Sequence, residues 1–195
     1  MLTMTTPNPS RSTRQSGLTL IELLITLSLF LIIVNMALPS FYELKDKYQS
    51  QTAVNRTTKM LNNARLLALN THEPVTLCPL VDGQCSDDWN GLLAIFSDLN
   101  QNQALDDGES LHQVSDPLSN RGKWFTRKNV ETGLTFSPFG HAYGHASTLL
   151  YCPESKIEQY ARRIIINLQG RIRVANYLSR NGTPYSDLGN MLCPK

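Results

Sequence analysis

Residues 18–38 limit what this chain can fold into more than any other stretch. From Ile21 onward they are interrupted only by Glu22, Thr26, Ser28 and Asn35, and Pro39 follows directly. As a helix rising 1.5 Å per residue the run is roughly 31 Å long, about the thickness of a bilayer's hydrocarbon core. Glu22 is the anomaly. A lone carboxylate at the centre of a membrane helix costs about 2.5–3.5 kcal/mol, and one near the end still needs a partner or a function. Cleavage after Gly17 supplies a partner, because the new α-amine at Leu18 lies one helical turn away and a neighbouring subunit's amine can reach the same carboxylate. A secretory signal peptide cut near Ala37 fits less well: the run is long for such a segment, and Asn35-Met36-Ala37 is a poor small-x-small site. A plain single-span anchor leaves Gly17 and Glu22 without a reason.

Gly17-Leu18-Thr19-Leu20-Ile21-Glu22 resembles the type III signal of type IV pilins and pseudopilins. The resemblance implies that a prepilin peptidase cuts after Gly17 and N-methylates Leu18, and that Glu22 neutralises the amine of an adjacent subunit during assembly. The family usually has Phe where this chain has Leu18. Pro39 matches the proline that commonly breaks the pilin helix where it leaves the membrane. Residues 1–17 then form a removable cytoplasmic leader whose Arg11 and Arg14 follow the positive-inside bias. Without those two arginines the net charge falls from +2 to 0.

The chain divides into the leader (1–17), a transmembrane and assembly helix (18–38), an amphipathic continuation of that helix (39–72) and a β-rich head (73–195). The continuation has no Gly or Pro before Pro74, and Leu44, Tyr48, Val54, Leu61, Ala64 and Ala68 recur near a 3.5-residue spacing. An unbroken helix to about residue 70 is ~80 Å long with a kink at Pro39, and the head is the obvious cover for its apolar stripe. Strands are expected over 75–80, 92–97, 110–114, 134–137, 148–152, 162–168 and 171–176. These runs are short, rich in β-branched and aromatic residues, and punctuated by Gly, Pro, Asn and Asp. The fold class is α+β: a long N-terminal helix packed on an antiparallel domain of short strands. Val75-Thr76-Leu77-Cys78, Trp89-x-Gly91, Phe96-Ser97-Asp98-x-Asn100, Phe136-x-Pro138-x-Gly140 and Gly170-Arg171-Ile172-Arg173 are similar to the FimT/GspH branch of the pilin family. That branch comprises minor pilins and the minor pseudopilin H of type II secretion.

The anchor places Cys78, Cys85, Cys152 and Cys193 outside the cytoplasm, where disulfides persist. Four cysteines allow three pairings. Proximity favours Cys78 with Cys85 and leaves Cys152 with Cys193, whereas the spacing is wrong for the common structural zinc sites. Asp98, Asn100, Asn102, Asp106 and Glu109 have EF-hand spacing, which makes them a weak calcium candidate. Gln103 stands where the loop needs Gly, however, and an Asx-rich turn capping its own backbone is favoured. His141 and His145 flank glycines and read as a loop. No nucleophile elbow, P-loop, zinc-protease or dinucleotide motif occurs, so neither an enzyme nor a cofactor is expected.

Charge is more informative. Residues 73–117 hold nine acids and no Lys or Arg, while residues 118–195 hold eleven bases and four acids. Such a polarised chain presents one acidic and one basic region. The basic part carries Arg162, Arg163, Gly170, Arg171, Arg173, Arg180 and Lys195. On a strand Arg171 and Arg173 share a face, about 6.7 Å apart, and suit a phosphate chain, with the Gly170 turn letting a backbone approach. Gly-Arg-x-Arg with a basic tail also resembles the DNA-binding motif of the FimT branch used in natural transformation. The competing reading is a hairpin edge whose arginines discourage aggregation. The favoured expectation is therefore a minor pilin, anchored in the bacterial inner membrane before entering a pilus, with other pilins, the prepilin peptidase and double-stranded DNA as partners. The alternative is a structural subunit, either a priming pilin or pseudopilin H, that binds only other pilins.

Overall fold

The computed structural model describes residues 17, 19–115, 122–126, 132–144, 146–155, 157–184 and 193, with residues 36–40 described by backbone alone. Helix α1 (Leu20–Thr71) contains no glycine, and Pro39 lies within it. It begins at Thr19, whose Oγ accepts the Glu22 backbone N–H at 3.3 Å, while Glu22 stands in the first turn. A carboxylate there also complements the positive end of the helix dipole. The chain divides into two compact units, residues 1–42 and 43–195.

In the first unit every large apolar side chain from Leu20 to Ile33 is more than half exposed. Three of the four polar interruptions bond within the helix. Thr26 donates to the Leu23 carbonyl at 2.9 Å, Ser28 to Ile25 at 2.8 Å and Asn35 to Leu31 at 2.7 Å. Each thus gives a donor to the helix's own backbone, as an apolar surrounding favours. Among the described residues no helix is long and apolar enough to cross a membrane; the described side chains of residues 18–38 are those of residues 19–35.

In the second unit α1 buries Ala53, Val54, Thr57, Met60, Leu61, Ala64 and Ala68, a stripe at three- and four-residue spacing. The stripe starts later than its periodicity suggests: Leu44 and Tyr48 are exposed. Ser50, which donates to the Tyr160 carbonyl, marks where the head begins to cover the helix.

Two antiparallel sheets follow. The first has the order β2-β1-β3-β4, with β6 also pairing β1; it comprises β1 (Val75–Val81), β2 (Gln84–Cys85), β3 (Leu93–Ser97), β4 (Leu111–Val114) and β6 (Leu134–Phe136). The second has the order β5-β7-β8-β9, from β5 (Gly122–Thr126), β7 (Ser147–Pro153), β8 (Arg162–Ile166) and β9 (Ile172–Asn176). The seven expected strands are all present. β2 and β5 lie outside the expected runs, and β2, with two residues, is too short to carry a periodicity. Leu77, Ile95, Phe136, Leu149, Tyr151, Ile164 and Ile166 meet the helix stripe in one core. Each such side chain contributes roughly 1.5–3 kcal/mol when fully buried. A smaller cluster of Leu150, Cys152, Ala161, Tyr177 and Cys193 covers part of the second sheet's other face.

Candidate nucleic-acid interface

Strands β8 and β9 form a hairpin whose turn is closed by the Gly170 N–H on the Asn167 carbonyl at 2.9 Å. The Asn167 side-chain oxygen also accepts the Arg171 N–H at 2.7 Å. The register pairs Ile166 with Ile172, Ile165 with Arg173, Ile164 with Val174 and Arg163 with Ala175. Ile164 and Ile166 lie in the main core, so Ile172 and Val174 share the core-facing side. Arg173 therefore lies on the opposite face with Ile165 and Arg163. β9 is the edge of its sheet.

The structure separates the arginines that the sequence groups together. Arg171, Arg173 and Arg180 are exposed, and their guanidiniums have no partner among the described residues. Arg163 is only 5% exposed, and its Nε donates to the Asn176 carbonyl at 3.0 Å. Half-buried Arg162 donates to the carbonyls of Gln159 and Ala161 at 2.7 and 2.9 Å, and burial lowers its pKa from the ordinary value. Arg162 and Arg163 thus hold the backbone together around β8. Lys195 lies outside the described residues.

Gly170 has a different role from the expected one. It is buried at φ +72°, and a Cβ there would stand 2.0 Å from the Gly140 carbonyl oxygen. The backbone it lets approach is the protein's own. Gly140, also buried and at φ +72°, belongs to the β6–β7 loop. Arg65 of α1 joins the two turns, its Nε donating to Gly140 O at 2.8 Å and its Nη2 to Gln169 O at 3.3 Å. Nothing in the sequence distinguishes Arg65, because its partners are backbone carbonyls some 75 and 104 residues away.

The charge asymmetry follows the sheets. The described acids of residues 73–115 lie on and around the first sheet, and the described bases of 122–184 on the second. In the calcium candidate the side chains are bonded to one another and to their own backbone. Buried Asp98 accepts from Asn102 N, Gln103 N and Thr76 Oγ, and Asp106 accepts from the amides of Asn100 and Asn102. Glu109 accepts from Leu99 N and Asp106 N. This is an Asx-rich turn in geometry. Among the described residues no three His, Cys, Asp or Glu side chains converge to hold a metal. His141 is exposed, and His145 lies outside the described residues. Cys78 is bonded to Cys85 and Cys152 to Cys193, with Cα–Cα separations of 5.5 and 5.6 Å.

At the N-terminus, Gly17 is exposed, and Leu18 lies outside the described residues. A family model described as the prokaryotic N-terminal methylation motif matches residues 12–37. A second model, described as type II transport protein GspH, matches residues 53–170. The structure of the type IV minor pilin FimU from Pseudomonas aeruginosa is similar in two crystal forms. One has a TM-score of 0.53 and 22% identity over 64% of this chain and 87% of that one. The other has 0.51 and 22% over 64% and 91%. The minor pseudopilin EpsH of Vibrio cholerae gives 0.47 and 11% over 66% and 97%. At these identities the likeness to FimU shows the fold. No curated protein matches the chain.

Proposed function

The chain belongs to the GspH family, and on that premise we propose that it is a minor pilin whose exposed arginine edge binds double-stranded DNA without sequence preference, for uptake in natural transformation. Membership makes it a minor pilin or pseudopilin, a structural subunit that assembles with other pilins in an inner-membrane-anchored pilus or pseudopilus. The observation that carries the DNA reading is the exposure of Arg171, Arg173 and Arg180, with no partner among the described residues, on and beside an edge strand. Three guanidiniums on about three phosphates lower log K against log[salt] with a slope of roughly −3, at −0.9 per phosphate. One subunit binds weakly at physiological salt, and capture relies on several filament contacts.

A gel shift of the full-length chain in uncharged detergent tests this. Arg171→Gln with Arg173→Gln should flatten the slope by about 2 units and leave the fold intact. An unchanged shift at low salt would reduce these arginines to a solvated hairpin edge. The second reading, a pseudopilin or priming subunit that binds only other pilins, would then stand. It draws support from the inward use of Arg162, Arg163 and Gly170. For assembly, the peptidase is proposed to cut between Gly17 and Leu18 and Glu22 to meet a neighbour's amine. Glu22→Ala should leave cleavage intact, read by intact mass, yet abolish incorporation into filaments. Normal incorporation would confine Glu22 to its place at the helix start.

A further inference from the structure

Phe139 is 79% exposed, more than any other large apolar side chain among the described residues. Its exposure does not come from a loose chain. The turn is closed by Gly140 N–H on Ser137 O at 2.8 Å, Ser137 N–H on His141 O at 2.8 Å and His141 N–H on Ser137 Oγ at 3.1 Å. Two more exposed apolar groups sit on the same two loops, Tyr143 at 44% and Leu168 at 50%, and Ala142 N–H on Leu168 O at 3.0 Å joins the loops.

This apolar tip is coupled to the arginine edge. Phe139 precedes Gly140 and Arg171 follows Gly170, and the two glycines touch under the Arg65 guanidinium. An aromatic and a cation are thereby held one residue either side of one buried contact. Preorganisation of this kind removes much of the ordering cost of binding. Segments 137–143 and 167–173 contain no acid; Arg171 and Arg173 belong to the second, and Arg65 is bonded to both. The fitting ligand is a polyanion that also carries flat apolar faces. In a duplex those faces are stacked inside, whereas a single strand offers them to an aromatic side chain while cations track its backbone.

We infer that the paired turns form a stacking platform for single-stranded nucleic acid, with Phe139 and Tyr143 taking bases and Arg171 and Arg173 the phosphates. The inference rests on the DNA reading above and adds to the duplex, which the arginines hold, a preference for unpaired ends and strands. Arg65 is a positioning residue, acting through the two turns.

The test is fluorescence anisotropy of the full-length chain in uncharged detergent with labelled oligo(dT) and with a duplex of equal length, at one low salt concentration. Wild type should bind oligo(dT) more tightly than the duplex. Phe139→Ala should weaken oligo(dT) binding about fivefold or more, and duplex binding, which the arginines carry, by less than about twofold. Phe139→Trp should retain oligo(dT) binding and show fluorescence quenching that the duplex does not produce. Thermal melting, expected to be unchanged for an exposed side chain, checks the fold. Oligo(dT) affinity untouched by Phe139→Ala overturns the platform, and loss of duplex binding in the double arginine variant then leaves the DNA reading standing. Wild type that binds neither probe overturns both. A Phe139→Ala chain that binds oligo(dT) normally but fails to enter filaments makes the tip a subunit contact instead.

Discussion

Strands β8 and β9 each carry arginines, lie side by side and read alike in sequence, yet the fold uses them in opposite ways. Arg163 on β8 is buried and bonded to the Asn176 carbonyl of its neighbour, and Arg162 gathers the carbonyls of Gln159 and Ala161. Arg173 on β9, on the same face of the sheet as Arg163, is open to solvent. Position explains the difference. β8 is internal, and its outer face lies beside the cluster of Leu150, Ala161, Tyr177 and Cys193; β9 is the edge. A count of basic residues therefore overstates a binding surface. A buried guanidinium satisfies backbone acceptors and is lost to ligands, whereas one on an edge keeps its donors available.

Cutting the tail loose is the strongest way to break the contrast. The Cys152–Cys193 bond closes a separation of 41 residues, and chain entropy puts its contribution at about 4 kcal/mol. Cys152→Ser with Cys193→Ser should lower Tm by roughly 8–16 °C. If calorimetry finds no such drop, the tail is not what keeps the outer face of β8 covered. Gly170→Ala comes next. It places a Cβ against the Gly140 carbonyl at positive φ, a combination expected to cost about 3 kcal/mol. Equilibrium denaturation that shows less than about 1 kcal/mol would mean that the two turns separate easily. The smallest effect sharpens the comparison most directly. Arg163→Ala should cost about 2 kcal/mol, since the Asn176 carbonyl loses a buried donor, while Arg173→Ala should stay within about 0.5 kcal/mol. Equal losses from the two would erase the distinction between internal and edge strand.

Much of this protein is set by local chemistry and is legible in the chain. The long helix follows from a nearly continuous apolar run and then a 3.5-residue stripe; seven strands follow from short runs of β-branched and aromatic residues between turn residues. The near pair Cys78 and Cys85 and the Asx-rich turn at residues 98–109 also depend on neighbours in sequence. Tertiary structure alone decided the rest, because it depends on pairing between distant segments. The strand order assigned Arg163 to an internal strand and Arg173 to an edge, and the register put both on one face, choices that no spacing contains. The approach of Gly140 to Gly170 turned an apparent phosphate-binding glycine into a packing contact. Arg65 acquired its role only when two loops brought their carbonyls to it. A charged side chain's function depends on whether the surrounding fold leaves its donors to solvent or directs them to its own backbone, and that is a property of the packed molecule.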